Sequence, residues 1–245
     1  MSDSALAFEG VSWSVGGRRI LDQVSFRLEP GRALAIVGPS GSGKSSLIAC
    51  ALGLIAPSDG VITVGVDHMT GRSAKGRLAL RRRALGVVFQ SGELIDEVSA
   101  RDNALLGPLL AGAGRVSAGH RVDELLERLG LSVIADQPAW SLSGGERQRI
   151  AVVRALAGQP LCVLADEPTA SLDPEGRSMV ADTLLSRAIA GDCAVLVATH
   201  DSDLAHRCDD LLVLRGGALE REPVSVRGPD PVSSVVGDIE PDPSR

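Results

Sequence analysis

The residues Ile36-Val37-Gly38-Pro39-Ser40-Gly41-Ser42-Gly43-Lys44-Ser45-Ser46 contain the pattern G-x-x-x-x-G-K-[ST] at Gly38, Gly43, Lys44 and Ser45, which describes a loop wrapped around a polyphosphate. At average residue usage the pattern arises by chance in a chain of this length roughly once in 100. Its surroundings make chance remoter still. The apolar run 33–37 reads as a buried strand, and 47–54 continues as a helix with few breakers. Each residue type has its own reason. Glycines let successive backbone N–H groups turn inward toward phosphate oxygens. The helix behind them adds free N–H groups and the positive end of its dipole. Lys44 brings a mobile charge for the β- and γ-phosphates, and the Ser45 hydroxyl is a hard oxygen ligand for Mg²⁺. A plain glycine–serine turn between strand and helix is the alternative. Gly38, Pro39, Ser40, Gly41, Ser42, Gly43, Lys44, Ser45 and Ser46 together form the candidate nucleotide-binding loop.

At 245 residues the chain has room for one or two domains and a substantial core. Hydrophobic residues make up 44% and charged residues 23%, the balance of a soluble globular protein. With no Tyr, two Trp and three Phe, that core must be built from Val, Leu, Ile and Ala. A net charge of −6 speaks against a broad nucleic-acid-binding surface, and no nucleic-acid partner is expected. Cys50, Cys162, Cys193 and Cys208 are widely spaced, without a C-x-x-C or His-partnered metal pattern, and fit reduced thiols of a cytoplasmic protein. Neither a basic leader with an apolar segment nor an 18-residue apolar run is present, so export and membrane spanning are not expected.

Along the chain, 6–8, the Gly16-Gly17 turn and 20–28 read as an antiparallel β layer leading to the loop, with 61–64 and Val66 adding a strand pair. Arg72, Lys75, Arg77, Arg81, Arg82 and Arg83 form a basic run, read as a solvated helix face, with a partner or lipid headgroups as the alternative contact. A short strand, 85–89, ends at Gln90. Leucines at helical spacing then fill 100–130, where Gly107-Pro108 and 112–114 suggest a break or hinge. From residue 141 strands and helices alternate, which implies parallel pairing and right-handed crossovers. Residues 222–245 hold five prolines and no period, and read as a disordered tail.

Two further stretches carry chemistry. The apolar strand 161–165 ends in Asp166 and Glu167. Beside a phosphate loop, Asp166 can hold Mg²⁺ and Glu167 can polarise an attacking water, although acidic turns also end many strands. Leu142-Ser143-Gly144-Gly145-Glu146 opens a helix and makes a second anion-binding N-terminus, or simply a serine-capped helix. This pentapeptide resembles the signature sequence of the ATP-binding cassette (ABC) family. The phosphate loop, Gln90, the signature, Asp166-Glu167, Ser171-Leu172-Asp173 and His200 follow in that family's order over about residues 5–220.

The resemblance implies an α/β fold: a P-loop NTPase core with a mostly parallel sheet, an N-terminal antiparallel β layer and a helical subdomain inserted at about 92–145. One nucleotide-binding domain would cover 1–221. It implies an ATPase using ATP and Mg²⁺, divided between two cassettes packed head to tail as a homodimer. Ser143, Gly144 and Gly145 would meet the γ-phosphate held by the partner copy's lysine. Gln90 would reach Mg²⁺ and the attacking water, with Ser45 and Asp166 as the other metal-side residues. Glu167 would be the general base, His200 would bind the γ-phosphate, and Asp173 would link the two sites. It also implies an integral membrane permease docked near residues 90–98, and a place on the inner face of the cell membrane.

One position departs from the family pattern. Where an aromatic ring commonly stacks on adenine, this chain has Val15, with Trp13 two residues earlier as an alternative ring or as packing. Loss of stacking would weaken nucleotide binding by about 1–3 kcal/mol and leave ATP and GTP competing equally. Residues 85–90, 101–105 and 109–112 are similar to the lipoprotein-release, macrolide-export and cell-division subgroup, whose permeases transmit force across the membrane. A cassette regulating a membrane-linked cell-wall or signalling partner is the alternative function.

Overall fold

The structure is a computed structural model that describes residues 4–191 and 193–220. Two sheets meet around the phosphate loop. In the first, β1 (Leu6–Val15), β2 (Arg18–Leu28), β4 (Asp59–Val64) and β5 (Asp67–His68) run antiparallel in the order β2-β1-β4-β5. In the second, β3 (Ala33–Val37), β6 (Leu85–Val88), β7 (Cys162–Asp166), β8 (Ala194–Ala198), β9 (Asp210–Arg215) and β10 (Ala218–Glu220) take the order β10-β9-β3-β8-β7-β6. Only β10 is antiparallel to its neighbour there. The parallel strands are apolar on both faces because they are covered on both, as crossovers through helices require.

On one face lie α1 (Lys44–Ala51) and the antiparallel sheet, whose aliphatic side chains share a core with Leu34, Ile36 and Leu164. Phe8 and Phe26 stack within it at 4.8 Å. On the other face α3 (Ala100–Leu110), α4 (Arg115–Arg128), α5 (Gly144–Ala157) and α6 (Pro174–Ile189) bury Val163, Ala165, Val195 and Val197. The remaining helices are α2 (Ala74–Ala84) and the short α7 (Ser202–His206).

Several expectations need correction. Strand β1 extends well past residue 8, because irregular pairing near Gly10 (φ 60°) interrupts the alternation that marks a strand. Val66 stands 83% exposed between β4 and β5 rather than in a strand. The pair Gly107-Pro108 does not break α3. The turn comes at 111–114, where Gly112 has φ 93°. The basic run is only in part a solvated face. Arg77 Nε donates to Gly53 O at 3.0 Å and Arg81 Nη1 to Leu52 O at 2.8 Å, satisfying carbonyls at the end of α1, while Arg72 and Arg83 pair with Asp67. The proposed tail, 222–245, lies outside the described residues.

Candidate functional site

The carboxyl ends of β3, β6, β7 and β8 point to one side of the parallel sheet, where open α/β sheets bind ligands. Beyond β3 the chain turns through Gly38. A Cβ there would lie 2.3 Å from Leu214 O and 2.9 Å from Ser42 Oγ, so only glycine fits. At the other end Gly43 (φ 110°) caps α1 without a side-chain bond, and the first turn holds no acidic residue. Its N–H groups and dipole are left for an anion. Lys44 Nζ folds back onto the loop, donating to Gly38 O at 2.8 Å and approaching Pro39 O at 3.4 Å. The Ser42 hydroxyl is buried with no hydrogen-bond partner among the described residues. A phosphate chain suits both features: it gives the lysine an anion and the hydroxyl a partner.

Asp166 ends β7 beside this loop. Burial pushes its carboxyl up, the Ser45 hydroxyl bond opposes that, and Glu167 and Lys44 add smaller contributions of opposite sign. A divalent cation between Ser45 and Asp166 would relieve the desolvated carboxylate. Gln90 adds an amide oxygen. One hydroxyl, one amide and one carboxylate would leave half of an octahedral shell to phosphate oxygens and water, which Mg²⁺ tolerates.

Glu167 has φ 48°, unusual for a residue with a side chain, and its N–H donates to Ala198 O at 2.8 Å. Its Oε2 lies 2.9 Å from His200 Nδ1 and accepts the His200 backbone N–H at 3.2 Å and the Thr199 hydroxyl at 3.1 Å. A cleft of about 670 Å³ brings the predicted residues together: Gly38 and 40–46 from the loop, Gln90, Asp166, Glu167 and His200. Pro39 does not line the cleft; its carbonyl accepts the Ser42 N–H at 3.1 Å and is approached by Lys44 Nζ. Val15 and Trp13 form the outer wall; Val15 is 54% exposed, and Trp13 is half-buried against the β-layer core.

Ser143, Gly144, Gly145 and Asp173 are not brought to this cleft. They stand at the starts of two other helices. Ser143 caps α5 in a reciprocal capping box with Glu146, and Asp173 caps α6 by accepting the Gly176 N–H at 2.9 Å. Ser143, Gly144 and Asp173 are all exposed.

The sequence alone did not point to Thr199, Gln148 or Arg154. Gln148 Nε2 donates to Phe89 O at 3.1 Å, and Arg154 donates to Gly92 O and Glu93 O at 2.9 and 2.7 Å. These bonds tie α5 to the loop carrying Gln90. The one available signal was a long polar side chain recurring on the buried face of an apolar helix.

A model of the ABC transporter family matches residues 21–170. The chain belongs to the ABC transporter family. Among its relatives, the lipoprotein-releasing system ATP-binding protein LolD 1 of Rhodospirillum rubrum is 40% identical over 221 residues, which cover 89% of this chain and 98% of that one. The LolD protein of Legionella pneumophila strain Lens is 42% identical over 200 residues, 82% of this chain and 88% of its own. A dimeric bacterial ABC transporter cassette matches with a TM-score of 0.83 at 28% identity, over 88% of this chain and 97% of that one. A dimeric cassette in a post-hydrolysis state bound to ADP and Pi matches with a TM-score of 0.82 over the same shares, also at 28% identity.

This cassette is therefore the ATP-binding and ATP-hydrolysing subunit of an ABC transporter, with hydrolysis coupled to transport. Its likeness to the lipoprotein-release subgroup is borne out by the names its relatives carry. The expected α/β architecture is likewise borne out by the two sheets and the cassette structures that match them. Among the described residues no helix is long and apolar enough to cross a membrane.

Proposed function

We propose that two copies of the cassette pack head to tail around two ATP molecules and drive a separate membrane permease of a lipoprotein-releasing type. One observation supports the pairing above others. The cleft around Lys44 lacks the Ser143–Gly145 tip, and that tip projects elsewhere with its capping helix end exposed. A second copy would bring one to the other. Closing two surfaces on the triphosphate would also exclude water and place helix N-termini against charge that grows in the transition state.

In this reading Lys44 neutralises the β- and γ-phosphates, and the N–H groups of 43–46 orient them. Ser45, Asp166 and Gln90 would hold Mg²⁺, which when bound would supply charge neutralisation for the triphosphate. The attacking water bonds to the γ-phosphorus while the bridging oxygen leaves with ADP, and Glu167 receives the water's proton. His200 binds the γ-phosphate from the far side of the cleft. Asp173 and its neighbours run between the two sites. The base lies against Val15 and Trp13.

The permease would dock at 90–98, beside the helical insertion at about 92–145, on the inner face of the cell membrane. Supporting this, Ile95 is 49% exposed in a segment that pairs with 138–140 and is braced by Asn103. An exposed apolar side chain on a rigid support suits a partner helix. Copurification from solubilised membranes tests it. Ile95→Asp should lose the membrane partner and Val116→Asp, 76% exposed on α4, should keep it. Retention of the partner by Ile95→Asp would contradict this placement.

A further inference from the structure

Thr199 sits between the end of β8 and His200 and is fully buried. Its N–H donates to Ile36 O of β3 at 3.1 Å. Its hydroxyl oxygen accepts the Asp201 N–H at 3.0 Å and lies 3.1 Å from Glu167 Oε2. A threonine hydroxyl has one proton to give. With Asp201 N–H already donating to it, that proton points at the carboxylate. Asp201 is fixed in turn. Its Oδ2 accepts the Thr169 hydroxyl at 2.9 Å, and its Oδ1 accepts the N–H groups of Asp203 and Leu204 at 3.0 and 3.2 Å.

Every hydrogen bond that described residues make to the Glu167 side chain converges on Oε2, and none reaches Oε1. We propose that Thr199 is a positioning residue for ATP hydrolysis. It pins Glu167 by Oε2 and leaves Oε1 as the atom that takes the proton from the attacking water. This rests on Glu167 acting as the base. The His200 ring is 70% exposed, and in the proposed mechanism it leaves Glu167 for the γ-phosphate, so it is not the lasting clamp. Thr199 is buried beneath it and cannot turn away. Once the ring has moved, the threonine is the side chain still holding the carboxylate.

Steady-state turnover, ATP binding and single-turnover hydrolysis of Thr199→Val, Thr199→Ser, Glu167→Gln and Thr199→Val/Glu167→Gln test this. Thr199→Val should lower kcat by about 10- to 100-fold, the worth of a hydrogen bond to a charged group, with KM unchanged. Thr199→Ser keeps the hydroxyl and should stay within about threefold of the parent. Adding Thr199→Val to Glu167→Gln should cost nothing further, because both changes act through one carboxylate. Parental kcat in Thr199→Val overturns the proposal. So does an equal loss in Thr199→Ser, or a full additional loss in the double variant. If valine prevents folding, Thr199→Cys, which keeps the volume with a much weaker donor, takes its place with the same expectations. Parental turnover by Glu167→Gln overturns the base reading instead, whatever Thr199 does.

Discussion

Glu146 shows how one carboxylate shapes the tip of α5. Its Oε2 accepts the Ser143 hydroxyl at 2.7 Å and the Ser143 N–H at 2.8 Å, and its own N–H returns to Ser143 Oγ at 3.3 Å. The Ser143 hydroxyl first, then its N–H, hold the carboxyl below its usual 4.5, against a smaller opposing push from burial, and nearby Arg149 adds to the lowering. A carboxyl depressed on folding stabilises the fold above its unfolded value, and that contribution fades as pH falls through the folded value. Urea unfolding of the parent and Glu146→Gln between about pH 7 and about pH 3 should show a constant stability difference above 4.5 that shrinks below it. A difference that widens toward acid would contradict the capping role. Glu146 and the phosphate-loop residues were legible because their partners lie within a few residues of them. Thr199 was not, since it meets Glu167 across 32 positions, and Arg154 reaches carbonyls 61 and 62 positions away. Only folding brings such pairs together.

At the scale of elements, α5 is the beam that others rest on. A Cβ on Gly107 of α3 would meet Arg154 O at 2.2 Å, and one on Gly86 of β6 would meet Ala155 O at 2.6 Å. Both glycines therefore permit close approach to the same helix rather than a bend. That is why Gly107-Pro108 reads as a break in sequence yet lies inside a continuous helix: a local rule about breakers cannot see the neighbour that needs the space. Gly107→Ala should push α3 off α5 and destabilise the fold by about 1–3 kcal/mol in denaturant unfolding, with the slope unchanged. An unaffected midpoint would show the contact to be soft. The same neighbour effect hid the work of Arg77 and Arg81, whose charge pattern suggested water while their donors satisfy the end of α1. Strand and helix order after residue 141 was legible from alternation, because buried parallel strands must be apolar throughout.

Across the whole molecule, the parts proposed to hold phosphate and the parts proposed to seal it lie in different places. Lys44, Asp166, Glu167 and His200 share one cleft, while Ser143 and Asp173 cap helices outside it. Within one copy, Gln148 and Arg154 tie α5 to the loop of Gln90, a path by which the proposed sites would be coupled. In the proposed dimer, a permease docked near residue 95 would move the tip proposed to complete the opposite site. The most direct measurement is the molar mass of Glu167→Gln by light scattering, with ATP and with ADP, alone and combined with Ser143→Arg. Two protomers with ATP, one with ADP, and one under both conditions once Ser143→Arg is added are the predicted masses. A single protomer with ATP, in a protein whose parent hydrolyses ATP at a rate strictly proportional to protomer concentration, would contradict the shared site.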